Sequence, residues 1–313
     1  MTLTEFRYVV AVAREQHFGR AAAACNVSQP TLSVAVRKLE DELGVRLFER
    51  GTNRVAITPV GRQLVQQARR VLGEVDALRA LAEQARDPLA SPLRVGAIHT
   101  IAPYLFPELI PALRDAAPGM PLLIQEDYTE QLVARLNNLE LDAIIAALPL
   151  DQSGLEIRPV YDEPFRVILP AAHPWAALER IDPARLGEEL VLLVGARHCF
   201  RDQVISACPE FREPGIHDQV PAEALEGSSL ETIRHMVASG MGISVVPCTA
   251  TQDEQRARSP VLVRRFTEPE PRRRVVLAWR KGFPRLQAVQ ALRAALRACR
   301  FAEVRFIDGP EAA

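Results

Sequence analysis

AAAACNVSQPTLSVAVRKLEDELGVRLFER, residues 21–50, is the stretch on which the fold turns. The alanine run at 21–24 lets a second helix approach closely, and Cys25-Asn26-Val27-Ser28 reads as a turn. Ser28 is placed to cap the next helix, and Pro30 falls in its first turn, where an amide has no intrahelical acceptor. That helix is predicted over residues 29–43 and stops at Gly44. Working outward, Leu3, Phe6, Val9, Val10 and Ala13 mark an earlier helix, and residues 18–24 a short one. Helix, four-residue turn, helix is the layout of a helix-turn-helix, whose second helix enters the major groove of DNA. The candidate DNA-contacting residues are therefore Ser28, Gln29, Pro30, Thr31, Ser33 and Arg37. Gln pairs with adenine, hydroxyls are versatile, and Arg favours guanine or phosphate. Residues 47–57 alternate around Gly51-Thr52-Asn53 as a small hairpin does, a wing on which Arg50 and Arg54 meet phosphates. The competing reading is a helical bundle with no nucleic-acid partner.

At 313 residues the chain exceeds a comfortable single core. Its formal charge is only -1, but residues 1–62 hold nine basic against six acidic side chains. A basic head on a mildly acidic body points weakly to nucleic acid. No apolar run approaches the ~18 residues needed to cross a bilayer, and MTLTEF lacks a signal-peptide pattern, so a cytoplasmic, membrane-free protein is expected. Five scattered cysteines (Cys25, Cys199, Cys208, Cys248, Cys299) do not form a disulfide scaffold. In a reducing compartment, any disulfide among them reads as a signal.

The stretch at 21–50, followed by ITPVGR at 57–62, resembles the winged helix-turn-helix of LysR-type transcriptional regulators. The match is long and ungapped, and it favours the DNA-binding reading over the bundle.

Thr58-Pro59 is a good helix start. Beyond it Leu64, Ala68, Val71, Val75, Leu78, Ala82 and Ala85 follow the 4-3 steps of a heptad seam. The strict repeat predicts pairing between two chains; the alternative is one amphipathic helix lying on its own domain. Asp87 to Pro92 then reads as a hinge. The expected organisation is a DNA-binding domain at 1–58, a dimerisation helix at 59–87 and a regulatory domain at 88–313.

From Leu93 onward strand-like runs (93–98, 121–125, 141–148, 190–194, 243–246, 261–266, 274–279) alternate with helical ones (103–116, 129–139, 228–239, 284–300). Such alternation predicts a largely parallel sheet with helices on both faces. The LysR resemblance implies an α/β, periplasmic-binding-protein-like body of two lobes. By that resemblance lobe one is about 92–161 plus 268–313, and lobe two about 162–267. No P-loop or Rossmann glycine motif is present, and no acid-base triad can be identified from spacing.

GARHCFRDQVISAC, residues 195–208, holds the chemistry. Phe200, Gln203, Val204 and Ala207 suggest a short helix, ended by Pro209, with Cys199 at its N-terminus. The positive helix end stabilises a thiolate, and protonated His198 and nearby arginines add to that. A thiolate reacts with peroxide to give sulfenic acid, which condenses with a second thiol. Cys199 is the reacting candidate and Cys208 the resolving one. Nine helical residues rise ~13.5 Å, whereas a disulfide needs Cα atoms within ~7 Å, so closing the bond must unwind the helix. Two other readings stand beside this one: a pair of buried structural cysteines, and a zinc site from His198, Cys199, Cys208 and His217, whose spacing lacks the short C-x2-C unit.

The same segment is similar to the redox segment of peroxide-sensing LysR regulators. So are RKLEDELGV (37–45), DEPFRVIL (162–169), AHPWA (172–176), SSLETIRHMVASGMGISVVP (228–247) and EPEPRR (268–273). That resemblance implies a redox-active pair, Cys199 and Cys208, and a peroxide pocket of Thr100, Thr129, His198 and Arg273, with Asp202 as an outer partner. For each threonine alone, helix capping explains the residue as well. The resemblance also implies an activator of antioxidant genes that binds double-stranded promoter DNA, dimerises and assembles into a tetramer, contacts RNA polymerase, and needs no cofactor or metal. Whether the unoxidised form represses is left open. Ala196-Arg197 departs from the acidic and glycine residues of that group, adding a cation beside the His-Cys pair, and Pro209 directly follows Cys208. Cys25, Cys248 and Cys299 read as buried fillers. Two further classes compete: a LysR regulator that binds a small metabolite between its lobes, and a thiol peroxidase on the same scaffold, against which the DNA-reading head argues.

Overall fold

The computed structural model describes residues 1–50, 55–84, 89–150, 153–208, 226–227, 229–252 and 261–307. It contains two compact units, one of Met1–Asp87 with Asn137–Glu140, the other of Pro88–Leu136 with Leu141–Ala313.

In the first unit, α1 (Leu3–Glu15) opens on a capping box in which Thr2 and Glu5 satisfy each other's backbone amides. α2 (Phe18–Ala24) packs its small Ala21 and Ala22 into the core. α3 (Gln29–Leu43) starts on the Ser28 cap and ends at Gly44, whose φ of 68° is the left-handed conformation that glycine adopts without strain. Val12, Ala21, Leu32, Val36, Leu39 and Leu47 form the centre. The wing is β1 (Phe48–Arg50) paired antiparallel with β2 (Val55–Ile57), Phe48 facing Ile57. Buried Glu40 fastens it to α3 by accepting the backbone amides of Leu47 (2.7 Å) and Phe48 (3.2 Å). α4 (Pro59–Gln84) begins where the Thr58 hydroxyl accepts the Gly61 amide at 2.9 Å. A Cβ at Gly61 would lie 2.2 Å from the Leu47 carbonyl oxygen, so only glycine lets α4 start against the wing.

Along the heptad seam, Ala68 is buried, Leu64 and Val75 are half-buried, and Val71 and Leu78 are exposed. The side chain of Ala82 and all of Ala85 lie outside the described residues.

The second unit runs β3 (Leu93–Ile98), α5 (Ala102–Ala116), β4 (Leu122–Asp127), α6 (Thr129–Asn137), β5 (Ala143–Ala147) and β6 (Leu155–Pro170). It continues β7 (Arg180–Ile181), β8 (Val191–Val194), α7 (Cys199–Ala207), β9 (Glu226–Gly227), α8 (Leu230–Ala238), β10 (Ile243–Pro247) and β11 (Val261–Phe266). β12 (Arg272–Arg280), α9 (Leu286–Ala298) and β13 (Arg305–Phe306) complete it. The main sheet has the order β4-β3-β5-β12-β6-β10-β8-β9, with β11 and β13 also on β6 and β7 on β11. Two cores flank it. Leu93, Leu105, Leu132, Ile145, Leu277 and Leu292 belong to one; Phe165, Leu192, Phe200, Ile233, Val245 and Phe266 belong to the other.

Two expectations need correction. The sheet is mixed: β3 is parallel to β4 and β5, and β8 to β9 and β10, but every pairing of β6 and β12 is antiparallel. The antiparallel share comes from β6, a 16-residue strand that the reading of the chain omitted. Pro159 and Pro164 interrupt its sequence, and prolines argue against a central strand because they cannot donate to the ladder. β6 pairs with β12 up to Pro164 and with β10 and β11 from Phe165 onward, so one strand serves both lobes.

Candidate functional site

On the DNA-reading unit, Ser28, Gln29, Pro30, Thr31 and Arg37 are exposed, and Ser33 is half-buried. The Ser28 hydroxyl accepts the Thr31 amide at 3.3 Å and shares a 2.7 Å hydrogen bond with the Thr31 hydroxyl. The expected cap and one expected base reader are thus bonded to each other. Ser33 and Arg37 line a hollow with Arg46 and Phe48, and a second with Pro30, Val34 and Lys38. Val34, whose apolar side chain is 68% exposed, also lines the second hollow. Arg50 has its backbone in β1, and Arg54 lies outside the described residues.

In the regulatory unit, three segments meet around Cys199. His99 and Thr100 follow β3; Asp127 ends β4, with Tyr128 and Thr129 directly after it; Arg197, His198 and Cys199 lead into α7. They enclose a pocket with free space for roughly one water-sized molecule. Cys199 is the first residue of α7, with His198 as its N-cap. The Thr129 hydroxyl donates to its sulfur at 3.5 Å, and the Gln203 amide lies 3.9 Å from it. The sulfur thus sits at a helix N-terminus with two hydrogen-bond donors beside it. Gln203 also donates to the Leu148 carbonyl at 2.9 Å, tying α7 to the first lobe.

Behind the pocket, Arg273 donates to the Thr100 hydroxyl (2.8 Å), the Thr100 carbonyl (2.9 Å) and Glu163 (2.7 Å). Its guanidinium covers the Phe200 ring at 5.1 Å, and Glu163 in turn accepts the amide and hydroxyl of Thr249. Because Arg273 occupies the Thr100 oxygen as acceptor, the single Thr100 proton is free to donate into the pocket that the residue lines. Arg273 therefore stands one residue back from the cavity and orients Thr100. Asp202, expected as an outer partner, is exposed and takes no part in the pocket wall.

Cys208 caps the C-terminal end of α7, its amide bonded to the Val204 carbonyl at 3.0 Å. It is fully buried in the second-lobe core, and burial pushes its thiol up to about 11. Helical rise separates it from Cys199 by ~13.5 Å along the axis, too far for a bond or for a shared zinc ion. All five cysteines are free thiols. Cys248 and Cys299 are buried, but Cys25 is only half-buried at the end of α2, a departure from the filler role expected of it.

Sequence reasoning missed His99, Tyr128, Glu163 and Gln203. The first two precede the assigned threonines directly, which was the available signal. Among the described residues no helix is long and apolar enough to cross a membrane.

Two family profiles match the chain: "Bacterial regulatory helix-turn-helix protein, lysR family" over residues 3–62, and "LysR substrate binding domain" over 86–300. The chain belongs to the LysR family of bacterial transcription regulators. Within that family it is similar to OxyR. The "DNA-binding transcriptional dual regulator OxyR" of Escherichia coli strain K12 is 41% identical over 298 residues, 95% of each chain. A full-length OxyR from Pseudomonas aeruginosa with one cysteine replaced by aspartate superposes with a TM-score of 0.82 at 50% identity, covering 99% of both chains. A cysteine-to-serine mutant of Corynebacterium glutamicum OxyR with hydrogen peroxide bound gives 0.63 at 31% identity, over 95% of this chain and 91% of that one.

Proposed function

We propose that this regulator is switched by hydrogen peroxide, with Cys199 as the reacting thiol and Cys208 as the resolving one. One observation carries the reading. Cys199 stands in a water-sized pocket with the Thr129 hydroxyl on its sulfur, while Cys208 is sealed in the core at the far end of the same unbroken helix. The Cys199 thiolate attacks one peroxide oxygen; an S–O bond forms, the O–O bond breaks, and the departing hydroxide is protonated to water. Thr129 and Thr100 hold the peroxide, and His198 supplies a further polar wall. The Cys208 thiolate then attacks the sulfenic sulfur; the S–S bond forms, the S–O bond breaks, and the departing hydroxide takes up the proton that Cys208 gave up, leaving as water. It reaches that sulfur only when α7 unwinds, which turns a local oxidation into a change of shape. The pocket's small size favours peroxide over a metabolite as the signal.

The protein works as a cytoplasmic, stoichiometric sensor that activates antioxidant genes. The exposed Val71 and Leu78 on α4 support pairing of two chains, which brings two reading helices to two half-sites. A tetramer built from such dimers, in contact with RNA polymerase, completes the reading.

The test is mass mapping of disulfides after one equivalent of peroxide, alongside promoter DNA binding. A Cys199–Cys208 bond is expected in the wild type and none in Cys199→Ser. An equal peroxide response in that variant overturns the reading, and consumption of peroxide far beyond one equivalent makes the protein an enzyme.

A further inference from the structure

We propose that Arg197, lying across the ring of Tyr128, sets the size of oxidant that reaches Cys199. The inference rests on the peroxide reading above and adds a specificity-determining residue to it.

The pocket is walled from both lobes. Arg197 is exposed, yet its guanidinium sits 4.0 Å from the centroid of the Tyr128 ring. A flat cation over a phenol face is held by the ring's negative quadrupole, and arginine is better shaped for this than lysine. Tyr128 is itself steadied by edge-to-face contacts with His198 at 4.9 Å and His99 at 5.0 Å. The second-lobe loop before α7 and the first-lobe turn after β4 are therefore bridged by one stack, and both of its members line the Cys199 pocket. The contact is weak because one partner is solvated, so it holds shape without sealing the site.

The chemistry makes this position selective. In the attack on a hydroperoxide ROOH, the Cys199 sulfur must meet the distal oxygen. An S–O bond forms and the O–O bond breaks; sulfur is oxidised by two electrons, and the peroxide leaves as RO⁻, protonated by solvent to ROH. The R group trails away from the sulfur along the line of attack, toward the mouth. With R as hydrogen the trailing group is at its smallest. A bulky tertiary R group has to pass Arg197 and Tyr128, and the pocket's small free space leaves little room to receive it.

The experiment measures Cys199 sulfenic acid formation in the full-length protein by dimedone trapping and mass spectrometry, with hydrogen peroxide and with cumene hydroperoxide. The wild type is expected to prefer hydrogen peroxide, and Arg197→Ala to lower the ratio of the two rate constants by about tenfold. Both oxidants are measured on one preparation, so the ratio does not depend on the folded fraction. A ratio within about twofold of wild type overturns the inference while leaving the peroxide reading intact. In a Tyr128→Leu background the same Arg197 substitution is expected to change the ratio no further; a full additional loss there means that Arg197 acts without the ring, and the stacked arrangement fails. Wild-type protein in which neither oxidant modifies Cys199 removes the peroxide reading and this inference together.

Discussion

Cys208 is a thiol whose chemistry is set by its surroundings. With its thiol pushed up to about 11, only roughly one molecule in ten thousand carries a Cys208 thiolate at pH 7. Iodoacetamide is therefore expected to alkylate the half-buried Cys199 faster than the core-buried Cys208 in the native reduced protein, and the two at similar rates in urea. Equal native labelling, read by peptide mass spectrometry, contradicts the buried-thiol assignment. Glu163 poses the opposite case, a carboxylate of zero exposure held by an equally buried Arg273. Removing one partner strands the other charge, so Glu163→Ala is expected to cost about 3–5 kcal/mol in urea unfolding. A loss under about 1 kcal/mol would mean that Arg273 finds another partner.

At the scale of the element, α7 is a helix of nine residues anchored by Phe200 and Val204, and nine residues do not make a stable helix alone. Its persistence depends on those anchors and on the Cys208 side chain in the core. Under the proposed switch, disulfide closure takes Cys208 out of the core and requires Cα atoms within ~7 Å, so the helix is expected to open from its C-terminal end. Hydrogen exchange measures this directly. The Cys208 amide, bonded to the Val204 carbonyl, is expected to lose protection on oxidation, while amides of α9 keep theirs. Unchanged protection at Cys208 in the oxidised protein rules out the unwinding. α3 differs: its Ser28 cap and Gly44 stop are set by local geometry.

For the whole molecule, β6 is the shared frame. It carries β12 on its first half and β10 and β11 on its second, so the two cores grow from one strand. Both cores bury thiols. Burial raises Cys208 to about 11 and Cys299 to about 12, and pushes Cys248 up as well, from an ordinary value near 9. The unfolded chain releases these protons from near pH 9, and the folded chain holds them until about pH 11 to 12. Over that window the unfolded state binds fewer protons, so stability present below pH 9 is lost as the pH rises. The urea midpoint is expected to fall between pH 9 and pH 11, and to fall less when Cys299 is replaced by alanine. A midpoint flat across that window contradicts the raised thiols.

The amino-acid order alone determined the elements whose signals lie within one turn of themselves. Ser28, Pro30 and Gly44 bound the reading helix, Thr58-Pro59 starts the long one, and apolar runs mark β3 and β11, because caps, glycines and short periodicities act between near neighbours. It also singled out Cys199 and Cys208 and the incompatibility of a helix with a bond between them. Only tertiary packing decided the rest. β6 was hidden by Pro159 and Pro164, since a strand between two partners is defined by those partners. The pocket walls come from three segments up to a hundred positions apart, 98–100, 127–129 and 197–199, so adjacency to Thr100 and Thr129 was the one hint to His99 and Tyr128, and the stacking of Arg197 had no local signature. Asp202 faces solvent for the same reason: which side of a nine-residue helix is buried depends on the surface it docks against, and that surface is contributed by distant chain.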